Sequence, residues 1–125
     1  MLGTEVYTIL SNSSDLTAIV SDKIYPVVID QNAAAPMVVF HTTTRPVYSG
    51  SGLVNDESEV RILAFSEGYD EAVLITKAVR NALELYRGEI NGTVIKSVKL
   101  SSIDEDYDAQ DDMFVHRLVF NVTHN

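Results

Sequence analysis

From Gly68 to Tyr86 the apolar residues Ala72, Ile75, Val79, Ala82, Leu83 and Tyr86 return at three- and four-residue spacing, which predicts one amphipathic helix with a single apolar stripe. Asp70 and Glu71 stand in its first turn and Arg87 at its end, where the helix dipole favours them, and Gly88 offers the stop. A stripe of this kind needs an apolar surface to cover, and the rest of the chain supplies strands. Met37 to Thr44 is apolar or β-branched, and Ser58 to Phe65 sets Val60, Ile62 and Ala64 against Glu59, Arg61, Leu63 and Phe65. Val94 to Ile103 reads as a third strand. Met113 to Thr123 is the fourth, with Phe114, His116, Leu118, Phe120 and Val122 alternating against Val115, Arg117, Val119, Asn121 and Thr123. The expected fold is α+β: a four-stranded, mainly antiparallel sheet with one long helix on a face and short N-terminal helices, in a single domain over 1–125.

The N-terminal region has apolar residues at Val6, Ile9 and Leu10 and again at Leu16, Ile19 and Val20, two short helical segments broken at Ser11 to Ser14, with Ser14 or Asp15 as cap. Asn32 to Pro36 reads as loop. Arg45 to Asp56, rich in Gly, Ser and Pro, reads as the longest loop. Asn91-Gly92 is a strong turn signal, here taken to follow a helix rather than to join two strands. One long helix leaves the second sheet face with Leu63, Phe65, Val115 and Val119 among charges; either a partner covers it or the N-terminal helices do.

Composition narrows the chemistry. The chain has 125 residues, no cysteine and a net charge of −9 with nine Lys and Arg spread along it, which disfavours phosphate backbones and anionic lipid and removes thiolate chemistry. Its N-terminus lacks the basic and apolar regions of a secretory signal, and no segment has the length of a membrane span. Asp104, Asp106 and Asp108 open like a calcium loop, but Ala109 stands where the turn needs glycine and Val115 where a closing Glu belongs, so a solvated acidic hairpin loop is the better reading. His41 and His116 are candidate neighbours across the sheet, without a third ligand at metal spacing. Gly50-Ser51-Gly52 has neither the strand nor the helix of a nucleophile elbow. No catalytic, cofactor or metal site is assigned. Arg45, Tyr48 and Leu53, in the long central segment, are of the types that anchor interfaces.

Taken in order, Asp15-Leu16-Thr17-Ala18-Ile19-Val20 with Asp22-Lys23-Ile24-Tyr25-Pro26, Ala35-Pro36-Met37-Val38-Val39-Phe40, Val60-Arg61-Ile62, the alanine-bearing helix from Tyr69 to Leu83, and His116-Arg117-Leu118-Val119-Phe120-Asn121-Val122 resemble the siphophage tail-completion or tail-terminator family over about Thr4 to Val122. The resemblance implies a structural virion protein without catalytic residues, assembled in the bacterial host cytoplasm. It implies a ring of identical subunits, commonly hexameric, that ends the tail tube and joins it to the head connector or neck protein. In that setting Arg45, Tyr48 and Leu53 are the expected contacts to the neighbour or to the tail tube protein. Asp104, Glu105, Asp106 and Asp108 are the expected channel-facing acids, past which DNA moves without specific binding. A head-completion or neck adaptor is the alternative within assembly proteins, and a small ligand-binding module the alternative outside them.

Overall fold

The computed structural model describes residues 2–27 and 34–125, so 32 and 33 of the expected loop lie outside it. The elements in order are α1 (Leu2–Ser11), α2 (Ser14–Val20), β1 (Ile24–Pro26), β2 (Met37–Ser49), β3 (Gly52–Ser66), α3 (Tyr69–Leu83), β4 (Gly88–Ile90), β5 (Thr93–Asp108) and β6 (Met113–His124). The strands form one curled, half-barrel sheet in the order β1-β2-β3-β6-β5-β4, antiparallel throughout except for the parallel β1–β2 pair.

This overturns the expected four-stranded sheet with one long helix: six strands dominate, and the three helices are short. The helix from Tyr69 stops at Leu83 rather than Tyr86, because Glu84 is already extended and Leu85 takes φ 62°. Gly88, at φ 151°, opens β4 rather than closing the helix. Asn91-Gly92 does join two strands, β4 and β5, with Ile90 opposite Thr93 and both turn residues at positive φ (52° and 85°), as a two-residue hairpin turn demands. The expected loop from Arg45 to Asp56 is instead the outer half of the β2–β3 hairpin, paired from Arg45↔Glu57 to Ser49↔Gly52 around a turn at Gly50-Ser51. Likewise Asp104 to Asp108 is strand, paired with Arg117 to Met113.

All three helices cover the same sheet face. Leu2, Val6, Ile9 and Leu10 of α1, Leu16 and Val20 of α2, and Ile75, Val79 and Leu83 of α3 share a core with Val38, Phe40, Val60, Ile62, Ala64, Leu118, Phe120 and Val122. The N-terminal helices therefore do not cover the second face, where Leu63, Phe65, Val115 and Val119 are only half-buried. Ser13, rather than Ser14 or Asp15, caps α2 by accepting from the Leu16 N–H at 3.3 Å.

The core ends in oriented polar contacts. His124 Nδ1 lies 2.9 Å from the Asn125 backbone oxygen and so donates to it, which leaves Nε2 to accept from the Ser58 hydroxyl at 2.7 Å. Ser58 in turn accepts from the Thr44 hydroxyl at 2.7 Å. The chain of donors ties β2, β3 and β6 together where apolar packing runs out. At the other end Thr76 gives its hydroxyl hydrogen to the Ala72 carbonyl at 2.9 Å and accepts from His116 Nδ1 at 3.1 Å.

Candidate assembly surfaces

β6 pairs with β3 only from Asp56 to Ser66, so the β2–β3 hairpin beyond that level is a two-stranded arm projecting past the sheet. Threonine and valine from Thr42 to Val47 favour extended backbone, and the two-residue turn at Gly50-Ser51 closes the pair, which is why a stretch rich in turn residues is ordered as strand. The arm carries Tyr48, Leu53 and Val54 at 69%, 60% and 51% exposure, a concentration of apolar surface without cover from the subunit's own core. Arg45 stands at its base on the helix-free face, 2.6 Å from Glu57. The structure thus places Tyr48 and Leu53 on the projecting element and Arg45 at its foot, and adds Val54 to the exposed apolar set.

Next to the arm the helix-free face has an open depression of ≈ 620 Å³ lined by Thr43, Arg45, Glu57, Glu59, Arg61, Asn121 and Thr123. Arg61 meets Glu59 at 2.6 Å, and both this pair and Arg45–Glu57 are substantially solvent-exposed, so each contributes about 0–1 kcal/mol and exchanges partners at little cost.

The acidic segment is at the opposite end of the sheet, and its four expected channel residues do not share a surface. Asp104 and Asp106 pair with Arg117 and Val115 on the helix-free face, Asp104 lying 3.9 Å from Arg117. Glu105 is on the helix side, where it accepts from the Tyr69 hydroxyl at 2.6 Å. Asp108 accepts from the backbone N–H groups of Gln110 and Asp111 at 3.0 and 3.3 Å and so shapes the β5–β6 turn. A strand puts successive carboxylates on alternate faces and cannot wrap them about a cation. Among the described residues no three His, Asp or Glu side chains converge on a point. His41 and His116 are not neighbours either: His41 is exposed on the helix-free face and His116 is buried on the helix side.

The hydrogen bond to Glu105, with that residue's charge, holds the Tyr69 phenol above the ordinary tyrosine range, and Asp112 does the same for Tyr107. A folded-state pKa raised in this way favours the native state below the unfolded value, and the contribution is lost as pH rises through the folded one. In a Glu105→Gln variant one tyrosine of the six is expected to ionise at lower pH than before, readable by spectrophotometric alkaline titration; an unchanged curve would mean that the Tyr69–Glu105 contact is not held in solution.

A helical layer thus packs on one face of the curled sheet, and a two-stranded arm projects past it. The family profile described as "Tail completion protein gp17" matches residues 4–125. The chain belongs to that tail completion family. It is thereby a structural protein of the phage tail and of the virion. Among solved structures, a chain from "Virion of native gene transfer agent (GTA) particle" superposes with a TM-score of 0.82 at 19% identity, over 95% of this chain and 90% of that one, a likeness that establishes the shared fold. A search of curated proteins finds no sequence match. No helix among the described residues is long and apolar enough to cross a membrane.

Proposed function

We propose that this tail completion protein acts as a single-domain subunit of a homo-oligomeric ring, commonly hexameric in such proteins, that ends the tail tube and joins the tail to the head connector. The observation that carries the reading is the arm: a monomer has no use for Tyr48, Leu53 and Val54 held clear of its core on an ordered hairpin, whereas a neighbouring subunit or the tail tube protein gives them cover. The second support is electrostatic. With a net charge of −9, and with Asp104 and Asp106 on a helix-free face where Arg45, Arg61 and Arg117 stand beside Glu57, Glu59 and Asp104, a ring that turns this face to its lumen disfavours phosphate binding as DNA passes. Glu105 and Asp108 are engaged within the subunit and leave that role to their neighbours.

Native mass spectrometry of the purified protein across concentration, with negative-stain images of the largest species, tests this reading. The expected result is one closed species of fixed subunit number that also binds the ends of isolated tail tubes. A protein that stays monomeric at every concentration and leaves tube ends uncapped would overturn it.

A further inference from the structure

The sheet leaves two long edges open, one on β2 and one on β5. Among the described residues β1 accompanies β2 only at Val38 to Phe40, which leaves the run His41 to Ser49 without a partner on its outer side. At the other edge β4 accompanies β5 at Thr93 to Ile95, and the Leu85 N–H takes the Val98 carbonyl at 3.0 Å, so the unaccompanied run is Leu100 to Asp108. The two runs are equally long. Exposed edges of this length are a liability in a monomer and a template for strand addition.

We infer that these two edges pair with each other between copies, β2 of one subunit against β5 of the next, as the seam of the ring proposed above, on which this inference rests. Three features agree. The first is polarity: β2, β3, β6 and β5 alternate in direction, so a copy placed beside β2 in the same orientation presents a β5 that runs antiparallel to it.

The second is parity. Val38 donates its N–H to Lys23 and Phe40 accepts from Val27, both across the outer side of β2, so the backbone groups of Thr42, Thr44 and the Pro46 carbonyl point outward too. On β5 the Val98 carbonyl points outward while Val98 lies opposite Val122. The same alternation along β6 turns outward the partners of Phe120, Leu118, His116 and Phe114, which are Leu100, Ile103, Glu105 and Tyr107. Both outward sets carry their side chains on the helix side. Bonding them therefore joins helix face to helix face. Had one set faced the other way, every second subunit would be inverted and no closed ring of equivalent subunits would follow.

The third is charge. Pairing Thr42 with Tyr107 and Thr44 with Glu105, and giving the Ile103 N–H to the Pro46 carbonyl, uses the outward groups and ends the seam at His41 opposite Asp108, just where β1 takes over the edge. On the helix-free side this register sets Arg45 opposite Asp104, Thr43 opposite Asp106 and His41 opposite Asp108. The exposed Arg45 and His41 then face a row of aspartates whose one cationic partner among the described residues of its own subunit is Arg117, at 3.9 Å. The register staggers each copy along the strand direction relative to the last, which a closed ring absorbs by tilting its strands to the ring axis.

The chain has no cysteine, so a double variant Arg45→Cys with Asp104→Cys reports the seam without background. Directly opposite residues of a non-hydrogen-bonded antiparallel pair lie about 4.5 Å apart at Cα, within the span of about 4.4–6.8 Å that a disulfide bridges. Within one chain β3 and β6 lie between the two positions, and strand spacings of about 4.8 Å keep them too far apart. Under mild oxidation the variant is expected to give a ladder of covalent multimers ending at the ring size, reversed by reductant. Arg45→Cys with Lys99→Cys, which the register holds apart, is expected to give none. Rings in native mass spectra without the ladder would overturn the seam and leave the ring reading standing. A species that neither assembles nor cross-links would overturn both, and equal cross-linking of the two variants would reduce the contact to random collision and overturn the register.

Discussion

Replacing Phe120 with alanine is expected to lower the unfolding free energy by about 3–5 kcal/mol, much of the roughly 5–15 kcal/mol that keeps a domain folded. The residue is fully buried in β6, opposite Val60 on one side and Leu100 on the other, under the helices. The space it shares with Leu2, Val6, Leu83 and Val98 is already closed to a void of ≈ 10 Å³, so truncation opens a cavity that a sheet anchored on both sides cannot collapse. Urea unfolding monitored by far-UV circular dichroism reads the loss as a lower midpoint at unchanged slope. Phe65→Ala, on the half-buried opposite face, is the companion measurement and is expected to cost less than half as much. An equal cost at the two positions would mean that the helix-free face is packed within the subunit and is no surface for assembly.

The contrast between these two phenylalanines was legible in the residues themselves. Strict alternation through Val60, Ile62 and Ala64, and through Phe114 to Val122, marks which face of the two central strands is buried, because period-two patterning is produced directly by a sheet with one covered side. The stripe from Ala72 to Leu83 is equally direct. What local pattern does not carry is pairing at the edges. β1 and β4 have three residues each, too few for any period, and exist because β2 and β5 lie beside them. The arm was misread for a related reason. Gly, Ser and Pro suggest loop, but Pro46 occupies an open edge that needs no N–H from it, and the glycines serve the turn.

The acidic segment was misread through composition. Asp104 to Asp112 has the charge density of a solvated loop, yet pairing with β6 carries the strand to Asp108, with Tyr107 against Phe114 at 5.0 Å between ring centroids, and leaves 109–112 as the turn. The candidate residues of both segments thus lie on strands rather than in loops. Arg45, Tyr48 and Leu53 are interface types in an expected loop; Tyr48 and Leu53 lie on the arm and Arg45 at its foot. The four acids stood out as a group and prove to be divided between two faces. The Ser58–His124 contact went unnoticed because it joins residues distant in sequence that only the register of β3 against β6 brings together.

Shortening the arm separates folding from assembly. Joining Val47 to Asn55 through Asn-Gly in place of residues 48–54 keeps the Val47↔Asn55 pair, whose backbone groups face each other as a two-residue turn requires. The excised residues pair only with one another and lie outside the shared core, and the exposed contact of Asn55 with Lys96 is kept. The unfolding midpoint is therefore expected to stay close to that of the parent, since surface changes of this kind cost about 0.5 kcal/mol or less. Assembly is expected to suffer far more. Tyr48 and Leu53 are the exposed apolar side chains best placed to be interface anchors, and losing a pair of such anchors, at about 2 kcal/mol or more each, weakens association by about three orders of magnitude. Analytical ultracentrifugation of the shortened protein at the concentration where the parent is fully assembled reads this directly. A folded, monomeric product fits an arm that works between subunits. A shortened protein that forms rings normally but no longer caps tail tubes would assign the arm to the tube, and one that does both as well as the parent would remove the arm from assembly altogether.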